Sequence, residues 1–184
     1  MKTQTNIKQQ CMKGFTLVEL LIVVIILAIL AAIVVPQFAS STSDAKISSL
    51  DTTLANIRSA IDLYYQQHAN RYPGHYQETD GTTLAATDAA RITAFKAQLS
   101  LYSDVNGQTS NTKTAVFKFG PYLKKADLPA NPVTNVSTLV TLNAGTLGMA
   151  GDGAGGGWKY DVITGQFIAN DTNTAPSGIS YDKH

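Results

Sequence analysis

A single cysteine, Cys11, in 184 residues cannot form an intrachain disulfide, so the fold must hold by burial and hydrogen bonding alone. Charge is scarce too. Fourteen Lys and Arg face 13 Asp and Glu, and neither sign forms a long run. So even a balance gives no electrostatic footprint for nucleic acid or for an anionic lipid surface. With three histidines in all, no nucleophile stands beside an evident base, and no catalytic constellation is legible.

Apolar length is what the chain does have. From Phe15 to Val35 the only charge is Glu19. At about 1.5 Å per residue this run is roughly 31 Å of helix, enough to cross a bilayer's hydrocarbon. Residues 1–14 before it hold Lys2, Lys8 and Lys13 and no acid, which predicts that this leader stays cytoplasmic and the rest is exported. Of the 14 basic residues, loss of these three leaves 11 against 13 acids, about −2, and no cysteine.

Glu19 is out of place in lipid. A carboxylate costs about 2.5–3.5 kcal/mol at the bilayer centre and less near the interface, so it calls for a partner. Cleavage after Gly14 would supply one: the new α-amine of Phe15, with a pKa of about 7.7–8.0, is mostly protonated at neutral pH and lies one helical turn away. Between two helices offset by about a turn the same charges meet, and a repeated offset builds a filament.

The segment Lys13-Gly14-Phe15-Thr16-Leu17-Val18-Glu19-Leu20 resembles the processing site of the type IV pilin and pseudopilin family, and the likeness continues through the apolar run to Pro36. It implies removal of the leader after Gly14 by a membrane-embedded prepilin peptidase, N-methylation of Phe15, and packing of the helix into a filament core. A secretory signal has a shorter apolar region, about 7–15 residues, whereas this run is longer and carries an acid. A lipoprotein signal would place its cysteine after the apolar stretch, but Cys11 follows Lys8-Gln9-Gln10. A plain single-span anchor would carry Glu19 by accident.

Beyond the membrane run the helix is expected to continue, with a kink or local melting at Pro36, which lacks an amide donor and crowds the Ala32 carbonyl. Ile47, Leu50, Leu54, Ile57, Ile61 and Tyr64 recur at gaps of three and four, the stripe of a helix with one buried face. Asp44, Lys46, Asp51, Asn56, Arg58 and Asp62 fill the other positions. A dimeric coiled coil is the alternative, but only about three heptads fit before the turn signal Tyr72-Pro73-Gly74. The boundaries that follow are a leader over 1–14, a membrane and filament-core helix over 15–35, its amphipathic continuation over 36–68, and a head over 69–184.

In the head, Thr87 is expected to cap a helix to about Tyr102 with Ile92, Phe95, Leu99 and Tyr102 on one face. Strands are predicted over 136–142, 156–162 and 166–169, the last two as a hairpin turning near Thr164-Gly165. The fold class is α+β: one long helix packed on a small antiparallel sheet. Gly120-Pro121-Tyr122-Leu123-Lys124-Lys125, with Leu128-Pro129 and Asn131-Pro132, resembles the segment joining helix to sheet in major pseudopilins of type II secretion. Its prolines fix an extended path that Tyr122 and Leu123 anchor to the core. Val133-Thr134-Asn135 departs from the aromatic and glycine usual next, which leaves secretion and surface pili both open.

His68, His75 and Glu78 offer metal-ligand atoms at no tight zinc spacing and read as solvated loop residues. Gly151-Asp152-Gly153-Ala154-Gly155-Gly156-Gly157 lacks the lysine and hydroxyl of a phosphate loop and reads as a flexible hairpin connection before Trp158. The pseudopilin resemblance implies calcium near the carboxyl end, for which Asp152, Asp161, Asn170 and Asp171 are the candidate oxygen ligands, without a regular calcium spacing. Asn135-Val136-Ser137 and Asn170-Asp171-Thr172 fit the glycosylation sequon.

Two functions follow. One is a structural filament subunit whose partners are copies of itself, the prepilin peptidase, an inner-membrane assembly platform with its ATPase, and lipid before assembly, with no nucleic acid. The other is a binding module, a minor tip subunit or adhesin carried on the same anchor. An enzyme on a membrane stalk is a distant third.

Overall fold

The structure, a computed structural model, describes residues 14–184. The leader lysines and Cys11 lie outside the described residues. The chain divides between Thr42 and Ser43 into two compact units.

The first unit holds the start of helix α1, Leu17–Gln67. Here Leu, Ile and Val dominate the sequence, and the large apolar side chains from Leu17 to Phe38 are exposed. A helix apolar all round belongs in a membrane or a bundle core, where its backbone groups are already paired. Pro36 stands inside α1, and helix continues on both sides of it.

The second unit holds the remainder of α1 and the head. The expected stripe is its spine: Leu50, Leu54, Ile57, Ile61 and Tyr64 are buried and Ile47 is partly so, whereas Asp44, Lys46, Asp51, Asn56 and Asp62 face solvent. Arg58 departs from the polar face. It is half-buried, and its guanidinium donates to the carbonyls of Phe167 (3.0 Å) and His184 (2.8 Å). Helix α2, Asp88–Ser100, starts as expected: the Thr87 hydroxyl accepts from the Ala90 amide, and Phe95 and Leu99 are fully buried.

Strands β1 (Tyr102–Ser103) and β2 (Thr109–Ser110) make a small antiparallel pair. Strands β3 (Leu139–Leu142), β4 (Trp158–Asp161) and β5 (Phe167–Ala169) form a sheet in that order. The sheet is mixed, which corrects the antiparallel expectation. β4 and β5 are the predicted hairpin, but β3 runs parallel to β4 with Leu139 opposite Trp158. Residues 143–157 are therefore a crossover between parallel strands and not a hairpin loop. Gly157 lies where two backbones touch: a Cβ there would come within 2.0 Å of the Val136 carbonyl oxygen.

The core gathers Trp158, Tyr160 and Phe167 of the sheet against Phe95 and the α1 stripe. The proline segment is anchored as expected. The amides of Tyr122 and Leu123 both donate to the Leu99 carbonyl, the Tyr122 hydroxyl donates to Gln67, and the Trp158 indole donates to the Pro129 carbonyl.

Candidate functional site

α1 is closed at its start by a reciprocal pair. The Thr16 amide and hydroxyl both donate to Glu19 Oε2, at 2.9 and 2.8 Å, and the Glu19 amide donates back to Thr16 Oγ1 at 3.2 Å. This capping box gives partners to N–H groups that have none within the helix. Glu19, expected from the sequence only as a charge in need of a partner, thus also shapes the first turn. Thr16 was absent from the expected site, although the Thr-x-x-Glu spacing at 16–19 is the signature of such a box.

Gly14 and Phe15 precede the helix and are exposed, Phe15 to 87%. A Cβ on Gly14 would meet nothing within 4 Å, so the Gly14–Phe15 bond stands clear of the described chain. α1 is the one helix among the described residues long and apolar enough to cross a membrane, and none of its most apolar stretch is buried.

The second candidate site is the carboxyl-terminal oxygen cluster. Asp152, Asn170 and Asp171 line one cavity of about 550 Å³. Asp161 is committed elsewhere: its two oxygens accept from the amides of Ile163 and Gly145. The Lys159 ammonium already sits 2.8 Å from Asp152 Oδ2. Asn170 Oδ1 accepts from the Asp152 amide, and Asp171 Oδ1 accepts from Asn173. Only Asp171 Oδ2, buried, lacks a partner within this quartet. Calcium takes 6–8 oxygens, and among the described residues no group of three or more His, Cys, Asp or Glu is placed to hold a metal.

His68 overturns its expected solvated loop. It is fully buried, with Nδ1 against the Tyr64 carbonyl at 2.8 Å and Nε2 against the Ser103 hydroxyl at 2.9 Å. It follows Tyr64 by one helical turn, so the buried stripe runs one step past the helix end. His75 and Glu78 are half-buried. Of the two sequons, Asn170 is buried and doubly bonded, whereas Asn135 is exposed at a turn.

The prokaryotic N-terminal methylation motif matches residues 10–35, the segment that carries the capping box and the exposed glycine bond. The type IV narrow pilus major component of Thermus thermophilus is 34% identical over 110 residues, which cover 54% of this chain and 92% of that protein. A type II secretion system core protein G of Aeromonas hydrophila is 30% identical over 122 residues, covering 66% of this chain and 68% of that protein. The core protein G of Pseudomonas aeruginosa is 47% identical over 51 residues, and the match spans 28% of this chain and 36% of that protein. No solved structure matches. The chain belongs to the type IV pilin and pseudopilin family. As a member it is a structural subunit of a filament, and its own architecture is a long apolar helix and an α+β head.

Proposed function

We propose that this pilin-family chain is a pseudopilin of a type II protein secretion system, assembled through α1 after its leader is removed. The observation that carries the reading is the start of the chain: an uncovered Gly14–Phe15 bond followed within one turn by Glu19 on an apolar helix. The precursor waits in the cytoplasmic membrane with residues 1–14 inside and the head outside. The prepilin peptidase cuts after Gly14, and Phe15 is N-methylated.

Glu19 then serves twice. Its Oε2 holds the capping box, which uses groups that cleavage leaves intact, and Oε1 meets the Phe15 amine of a neighbouring copy. In a low-dielectric bundle that pair removes two otherwise costly charges. Pro36 marks the point where the helix bends or loosens on packing. An inner-membrane platform and its ATPase drive each subunit outward, and the chain itself catalyses nothing.

The core protein G likeness that reaches into the head favours secretion. The coverage of the narrow pilus component supports a second reading, a surface pilus subunit. Mass spectrometry of sheared fibres, paired with deletion of the gene, tests both. An abundant product starting at methylated Phe15, with loss of exoprotein release, is the expected result. Intact secretion with loss of surface fibres moves the chain to the pilus reading, and a product that keeps its leader overturns both.

A further inference from the structure

β4 alternates its faces, so Trp158 and Tyr160 enter the core while Lys159 and Asp161 point the other way. All four are nonetheless buried. Lys159 is therefore an ammonium on a largely buried side chain, 9% exposed, and a buried charge survives only when paired and hydrogen-bonded. Both of its partners come from the crossover 143–157. Nζ donates to the Ala150 carbonyl at 3.0 Å and to Asp152 Oδ2 at 2.8 Å.

The same loop is tied at two further points. The Asp152 amide donates to Asn170 Oδ1 while Asn170 Nδ2 donates to the Ala154 carbonyl, and the Gly151 amide donates to Asp182. Lys159 brings positive charge to Asp152 from within the fold, whereas the half-exposed Lys183 stands 3.8 Å from Asp182.

We propose that the Lys159 ammonium is the resident structural cation of the head, closing the crossover onto the sheet in place of a metal ion and leaving the fold without a calcium requirement. Three observations converge on it. The ammonium holds the Asp152 oxygen that a metal would need. A dication on the remaining oxygens would stand beside this fixed positive charge in a partly buried site, where like charges repel strongly. Both Asp161 oxygens, Asn170 Oδ1 and Asp171 Oδ1 accept from backbone or side-chain N–H groups, which leaves Asp171 Oδ2 as the one unpartnered oxygen of the quartet. The hydrogen bond from Lys159 also pulls the Asp152 carboxyl down to about 2, so the pair stays ionised well into acid.

The test uses the full chain in detergent, with Trp158, the chain's one tryptophan and wholly buried, as the fluorescence probe. The unsubstituted protein should melt at the same temperature in chelator and in millimolar calcium. Lys159→Met, which keeps the stem and deletes the charge, should lower the midpoint and speed protease cleavage within 143–157 severalfold. Asp152→Asn, altered at the exposed end of the pair, should show the same cleavage. It decides the matter should the buried variant fail to fold. A calcium-dependent rise in the midpoint of the unsubstituted protein overturns the proposal, as does a crossover that stays resistant in Asp152→Asn. Neither outcome touches the filament reading, which rests on the other end of the chain.

Discussion

His68 lies flat against Tyr64, ring centroids 3.7 Å apart and planes within 6°. Because Nδ1 faces a carbonyl it must donate, and Nε2 then accepts from the Ser103 hydroxyl, so the neutral ring is fully satisfied. Protonation would add a charge at a site of no exposure, and burial holds the His68 pKa below its ordinary value, opposed in part by the Tyr64 carbonyl and Asp104. The unfolded chain then binds the proton more readily than the folded one. Stability is complete above the unfolded value of about 6.5 and falls as pH drops below it toward the folded value. His75, also lowered by burial and by Arg71, acts in the same direction. The melting midpoint should therefore decline from pH 7 to pH 5, and His68→Gln should flatten that decline. An equal slope in the variant contradicts the assignment.

Thr16 and Glu19 separate capping from assembly. Thr16→Val removes one side of the box and should cost about 1 kcal/mol of helix-start stability, leaving fibres to form. Glu19→Ala removes both roles and should leave the precursor cleaved while fibre yield falls sharply. Sheared-fibre yield and gel mobility read the two effects, and normal yield from Glu19→Ala refutes the pairing.

Gly14 has open space around it, so a bulky residue there is tolerated by the fold. Gly14→Leu should accumulate as full-length precursor in the membrane fraction. Mature-sized protein on a gel would contradict cleavage at that bond.

At the β4–β5 turn Gly165 has φ +73, and a Cβ would come within 2.2 Å of the Tyr72 ring, itself stacked on Tyr65 at 4.3 Å. Gly165→Ala should destabilise the head by about 1–2 kcal/mol from backbone conformation alone, and by more through displaced Tyr72. In a Tyr72→Ala background the extra part should vanish, which a double-mutant cycle by denaturant unfolding measures.

Much of this was legible from residue spacing. The α1 stripe, the Thr87 cap and the turn at Gly165 are local patterns, and the structure repeats them nearly residue for residue. Three features were not. The direction of β3 depends on which edge of β4 it meets, and alternation in Leu139–Leu142 is the same for either direction. His68 sits after the helix ends, where sequence suggests loop, and is buried only because Ser103, Phe119 and Tyr122 close over it. The pseudopilin resemblance implies calcium at four oxygen-bearing residues, and nothing in their spacing signals that β4 sets the Lys159 ammonium on Asp152. The capping box is legible at Thr16-Leu17-Val18-Glu19, where a hydroxyl stands three residues before a carboxylate.

The parallel register of β3 on β4 sets an order of events for the head. β4 and β5 can zip together early, since only a five-residue turn, residues 162–166, separates them. Leu139–Leu142 precedes them in the chain yet must wait, because its neighbour lies across a long excursion whose closure costs entropy before any strand bond repays it. As the head folds, then, the strand that opens this sheet in the chain is the last to find its place.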